Sequence, residues 1–186
     1  MSISVSKEKF LIKSLYLSII ISIIYIGLFL LFTKDYTELL KQPANSINKY
    51  GVTTSVIIFF AVQIIGFIVH EVIHGMFSIL FTKDTKSIKF GIAPKQMMFY
   101  CHCLKPLYVN HYLIMVIAPF IIMGVNSFCL GLYFENLFAI FFGYVFSVAA
   151  IGDLYIIYLV LKNYQKNIYR TQPPILVVNI LKSNNY

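Results

Sequence analysis

Four long stretches almost free of charge decide what this chain can fold into. Ser14 to Thr33 is an uncharged run of 20 residues, Val52 to Phe81 holds only Glu71, Tyr108 to Phe134 holds no Asp, Glu, Lys or Arg, and Leu137 to Leu161 holds only Asp153. About 20 apolar residues in a helix cross the ~30 Å hydrocarbon core of a bilayer. Composition agrees, because 12% charged residues against 59% hydrophobic ones is about half the charge of a soluble domain. The expectation is an all-α integral membrane protein, one membrane domain over residues 1–186, with about four transmembrane helices at 14–33, 52–81, 108–134 and 137–161 and a tail at 162–186. The first run is longer than a signal-peptide core and no small-x-small cleavage site follows it, so a retained span is expected. Pro119, near the middle of the third run, is expected to kink it.

The basic residues orient these spans. Twelve of the 15 Lys and Arg residues fall in residues 1–13, in the loop from Lys83 to Lys105 and in the tail beyond Leu161, whereas Lys34, Lys41 and Lys49 are alone on the opposite side. Cytoplasmic loops carry the excess of Lys and Arg, so both termini are expected in the cytoplasm of a multi-pass cell-membrane protein. The same distribution argues against nucleic acid as the partner of a +8 chain, since the charges border apolar runs instead of forming a patch. Residues 34–50 read as a short polar connection containing Pro43. Between spans two and three, Ser87 to Gly91 and Met97 to Cys103 have strand character and are separated by Ala93-Pro94-Lys95, which predicts a small cytoplasmic β-hairpin, with a simple loop as the alternative. The last apolar piece, Ile175 to Leu181, is too short to span and is expected at the interface.

Inside the second run lies His70-Glu71-Val72-Ile73-His74-Gly75. Residues four apart on an α-helix are about 40° apart in projection, so His70 and His74 point the same way and suit one metal ion, with Glu71 on the flank to act on a water. A carboxylate within hydrocarbon is costly unless it is paired, wetted or bound to metal, which singles out Glu71 and Asp153 among the acids. With the topology above, spans two and four run in the same direction. His74 and His70 then lie about 12 and 18 Å from their cytoplasmic end and Asp153 about 14 Å, at 1.5 Å per residue. The small residues Ala149-Ala150-Ile151-Gly152 allow close approach of the helices. Two His and one carboxylate with an open fourth position is the donor set of a catalytic zinc, and it also suits Fe(II) or Mn(II).

These residues resemble the zincin-type membrane peptidases of bacteria, which are allied to the site-2 proteases. The resemblance rests on His70-Glu71-Val72-Ile73-His74-Gly75, on Phe90-Gly91 in a Lys-rich loop, on Ala118-Pro119, and on Ser147 to Asp153 with its Gly152-Asp153 ending. It spans roughly residues 60–160. It implies an intramembrane zinc endopeptidase acting on membrane-protein or peptide substrates, with Zn2+ held by His70, His74 and Asp153 and with Glu71 as the base. Site-2 proteases place the ligand Asp before a Gly; here Gly152 precedes it and Leu154 follows.

Other residues carry weaker signals. Asn126, in the middle of the third span, is a candidate for holding substrate backbone or an oxyanion, against a simple interhelical hydrogen bond. Gln63, two turns before His70, is a candidate cavity-lining or substrate-binding residue. The hairpin edge suits strand addition by an extended substrate. Cys101-His102-Cys103 offers no fourth ligand for a second metal site, because neighbours on a strand alternate faces. The odd count of three cysteines predicts free thiols. Bis-histidine haem ligation by His70 and His111 fails on depth, by roughly 12 Å of helical rise. A non-catalytic metal-binding protein, such as a binding or immunity factor, and a small transporter are the competing classes. Glu71 separates them from an enzyme, because a binder has no use for an acid that is not a ligand.

Overall fold

The computed structural model describes residues 7–93, 98–105, 107–165 and 175–176. Helix α1 (Lys7–Phe32) is followed by α2 (Tyr36–Tyr50), α3 (Val52–Thr82), strands β1 (Ile88–Ala93), β2 (Met98–Cys103) and β3 (Leu107–Tyr108), then α4 (Val109–Pro119), a π-helical turn (Phe120–Val125), α5 (Asn126–Tyr133), α6 (Leu137–Ala149), α7 (Ile151–Gln165) and β4 (Ile175–Leu176). The fold is an all-α membrane fold with very short strands. Three helices are long and apolar enough to cross a membrane, Phe10–Phe32, Val52–Thr82 and Val109–Tyr133, and α6 with α7 supplies a fourth if the bent pair is one span.

Three expectations change. Residues 36–50 are not a loop but helix α2. Asp35 caps it by accepting from the Thr37 and Glu38 amides, and Glu38 sits in its first turn, the pattern of a helix start that Pro43 obscures in the sequence. Its inner face buries Leu39. The Gln42 carboxamide donates to the Glu135 carbonyl at 2.7 Å and accepts from the Leu137 amide at 2.8 Å, which ties α2 to the turn between α5 and α6.

The disturbance expected at Pro119 appears as the π-helical turn that follows it, a single-turn widening of the kind that relieves a broken backbone ladder. The fourth span is not one straight helix: α6 and α7 meet at 43°. Ala150 ends α6 at φ −75° and ψ 5°, so α7 begins afresh and Asp153 lies in its first turn. A carboxylate there is favoured by the free amides and the dipole of a helix N-terminus.

The hairpin forms as an antiparallel pair with Phe90 opposite Cys101 and Ile88 opposite Cys103; Pro94 and Lys95 of its turn lie outside the described residues. Its base is fastened by the Lys105–Asp84 ion pair at 2.8 Å, and the ammonium beside Asp84 holds that carboxyl below its ordinary range. Ile175 and Leu176 pair with Tyr108 and Leu107, and the rest of the expected interfacial piece, residues 177–181, lies outside the described residues.

Packing runs through glycines. A Cβ on Gly143 of α6 would lie 2.7 Å from the Gly124 carbonyl oxygen and from Phe128 Cα, and nearer still to the Phe128 amide nitrogen. Those are backbone atoms that cannot swing away. Gly143→Ala is therefore expected to cost about 1–3 kcal/mol by overpacking, read as a lower thermal midpoint in detergent. Gly27→Ala on α1, where no described residue stands within 4 Å, is the matched neutral control.

Candidate metal centre

Helices α3, α4 and α7 meet around the two histidines. His70 and His74 are buried, with 7% and 8% exposure, and their rings stand 4.9 Å apart on one face of α3. Asp153 Oδ2 lies 3.1 Å from His70 Nε2 and 3.5 Å from His74 Nε2. The break at Ala150 puts Asp153 in the first turn of α7, where its carboxylate meets them. One donor atom from each of His70, His74 and Asp153 lies within 4.8 Å of the others, and among the described residues this is the group of three able to hold a metal ion.

The hydrogen bonds test whether a cation fits. His74 Nδ1 is 3.0 Å from the Met115 carbonyl oxygen. A carbonyl only accepts, so Nδ1 carries the proton and donates, and a neutral ring then turns the lone pair of Nε2 towards Asp153. Lone pair facing carboxylate oxygen at 3.5 Å calls for a positive charge between them, which a second ring proton or a metal ion supplies. Donor atoms about 2.0–2.1 Å from a tetrahedral zinc stand roughly 3.3 Å from one another, close to the 3.1 and 3.5 Å seen here. The Met115 contact is also the outer-sphere support that fixes the orientation of a ligating imidazole. Among the described residues the buried His70 Nδ1 meets no partner, and the ring is turned by its Nε2 contact with Asp153 at 3.1 Å. The residues fit the ion.

Glu71 stands apart from the three. Its Oε2 accepts from the backbone N–H of Cys101 at 2.8 Å, so strand β2 holds it beside the histidines. Gly75, one turn further along α3, makes room for the hairpin: a Cβ there would lie 2.7 Å from Phe90 Cζ and 3.4 Å from Cys101 Sγ. All three cysteines are free, as expected. Burial, and then the nearby Glu71 carboxylate, pushes the Cys101 thiol up to about 11, so it stays a thiol at neutral pH.

Two contributors were out of reach of sequence reasoning. The Met115 carbonyl and the Cys101 amide act through the backbone, where residue type carries no signal. Asn126 is exposed at the start of α5, a helix packed on α6 and the π-helical turn. Gln63 lies on α3 away from them, lining a separate cavity. His111, the rejected haem ligand, stacks on Phe81 at 4.3 Å.

Residues 63–169 match the sequence model of a family described as putative zincin peptidase. The chain belongs to this family. The matched segment runs from within α3 to beyond the end of α7 and contains His70, Glu71, His74 and Asp153 together with the hairpin. Zincin peptidases are zinc enzymes by name, which agrees with the donor set. No curated protein and no solved structure matches the chain.

Proposed function

We propose that the protein is an intramembrane zinc endopeptidase of the site-2 type, cleaving membrane-protein or membrane-associated peptide substrates. What carries this reading is the division of labour among the acids: Asp153 faces both imidazoles, whereas Glu71 is held off them by a backbone N–H. His70 Nε2, His74 Nε2 and Asp153 Oδ2 would hold the zinc, leaving a fourth position for water or substrate. When bound, the ion supplies Lewis-acid polarisation of a carbonyl and acidifies water.

The chain's own groups do the rest. Glu71 accepts the proton of the attacking water at its free oxygen and returns it to the leaving amine, while Cys101 N–H keeps the carboxylate aimed. His74 is kept from rotating by Met115. Strand β2 lies against Glu71, so its edge is placed to hold an unwound stretch of substrate by main-chain hydrogen bonds. A helical segment must be opened before its peptide bonds are within reach. In the charge-based topology both termini and the hairpin are cytoplasmic, so substrate meets water from that side.

The test is metal dependence of peptide-bond cleavage. Protein purified into nanodiscs is offered Lys-flanked apolar peptides, and products are read by mass spectrometry. Cleavage is expected to disappear after stripping with a chelator and to return with one equivalent of zinc. Cleavage that persists in metal-free protein, or a zinc-loaded protein inert towards the whole peptide set, would overturn the reading.

A further inference from the structure

Where α1 begins and α7 finishes, two lysines from different helices meet over the same ring. Lys13 is the last charge before the uncharged run of Ser14 to Thr33, and Lys162 is the first after the run that ends at Leu161. Both are exposed. Lys13 Nζ stands 5.1 Å from the centroid of the Tyr158 ring and 5.9 Å from that of Tyr155, and Lys162 Nζ stands 5.8 Å from the Tyr158 centroid. A ring face attracts an ammonium within about 6 Å of its centroid, so Tyr158 gathers both charges to one place. The platform is fixed from beneath: Tyr155 is buried, stacks on Tyr158 at 6.1 Å and meets Phe10 edge to face at 5.3 Å.

Two like charges on one ring repel, and among the described residues no carboxylate offsets them. The lysines that do form ion pairs are Lys41 with Glu38 and Lys105 with Asp84. Lys13 and Lys162 each keep three N–H donors for an acceptor oxygen. Their neighbours define the rest of a ligand. Ile12 and Tyr16 beside Lys13 are each 68% exposed, and Tyr158 and Leu161 beside Lys162 are 46% and 44% exposed. At the border of a membrane span such side chains face acyl chains, while the lysine stems carry their charge to the headgroup level.

This pairing of charge and apolar flank selects among ligands. Inorganic phosphate meets the charges but offers the flank nothing. A zwitterionic lipid covers the flank but brings a cation of its own beside the lysines. An anionic phospholipid supplies both acyl chains and a phosphodiester whose charge is unbalanced, with two oxygens that accept charge-assisted hydrogen bonds. We propose that the seam of α1 and α7 binds the headgroup of an anionic phospholipid, its phosphodiester between Lys13 and Lys162 and its acyl chains along Ile12, Tyr16 and Leu161. Basic side chains at a membrane surface each favour anionic lipid, and here two of them act on one phosphate. Lys162 lies about 14 Å beyond Asp153 at 1.5 Å per residue along α7, so the site is separate from the metal centre and independent of the peptidase reading.

In the experiment the full-length protein in detergent is titrated with phosphatidylglycerol and with phosphatidylcholine of identical acyl chains, and lipid adducts are read by native mass spectrometry. The first phosphatidylglycerol is expected to bind more tightly than phosphatidylcholine by about tenfold or more. Lys13→Gln combined with Lys162→Gln is expected to weaken it by about fivefold per lysine, the worth of one basic side chain near an anionic surface. Lys13→Arg combined with Lys162→Arg is expected to keep it. Lys34→Gln combined with Lys49→Gln removes the same charge at the opposite end of the bundle and is expected to leave it unchanged. Equal weakening by the two Gln pairs would reduce the effect to net charge, and equal binding of the two lipids would leave no anion site. Loss of the adduct in equimolar inorganic phosphate would make it a site for the free anion. Each of these three results would overturn the proposal.

Discussion

Glu71→Gln is expected to keep its zinc and to lose peptide cleavage by about 10²–10⁴-fold, the usual contribution of a positioned general base. The substitution is nearly isosteric, and the Gln carbonyl oxygen still accepts from the Cys101 N–H that now reaches Glu71 Oε2 at 2.8 Å. The hairpin therefore stays docked and the histidines stay buried. Only the ability to take a proton is lost. Zinc content by mass spectrometry, measured beside turnover on the same preparation, separates this from loss of the site. Undiminished cleavage would remove Glu71 from the mechanism, and with it the feature that distinguishes an enzyme from a metal-binding membrane protein.

The second large effect is expected at the carboxylate. Asp153→Ala removes one of three donors and leaves both Nε2 atoms, now 3.1 and 3.5 Å from Oδ2, facing an empty corner. Outer-sphere partners alone are worth 10–100-fold in metal affinity, so losing a direct ligand should weaken zinc binding by more than about 100-fold. Competition with a calibrated chelator reads this directly. Unchanged zinc affinity would take Asp153 out of the ligand set, leaving its contact with the histidines as a helix-packing interaction.

These two effects differ in how they could be foreseen. Glu71 follows from spacing alone, because four-residue separation on any helix aligns His70 with His74 and leaves the residue next to His70 on the flank. Asp153 needed depth: two spans running in the same direction, each counted back from its basic end. The structure places the three donor atoms within 4.8 Å, but by a route that counting residues does not describe. The fourth span breaks at Ala150, and the break turns Asp153 into a first-turn residue of a new helix.

Helix α2 was hidden for a related reason. Asp35 and Glu38 mark a helix start, yet a stretch of low hydropathy with a central Pro43 reads as a connection. What makes it a helix is what it rests on: Leu39 buried against the bundle and Gln42 bonded to the backbone at both sides of the α5–α6 turn. Neither contact is local. The hairpin was legible from strand-like runs, but its docking at Glu71 was not, because Gly75, Phe90 and Cys101 are up to 26 residues apart in the chain and meet only when β2 lies along α3.

By itself the sequence determined that this chain is a helical membrane protein and that His70, Glu71 and His74 share one helix. Both follow from short-range rules: hydrocarbon admits only backbone satisfied within its own segment, and helical geometry repeats every few residues. Tertiary structure alone decided the third donor's approach, the Met115 and Cys101 backbone contacts that set the state of His74 and Glu71, and the cavity beneath α2. Each depends on where a carbonyl, an amide or an empty volume comes to rest when distant helices pack, and none of these is encoded in the identity of a single residue.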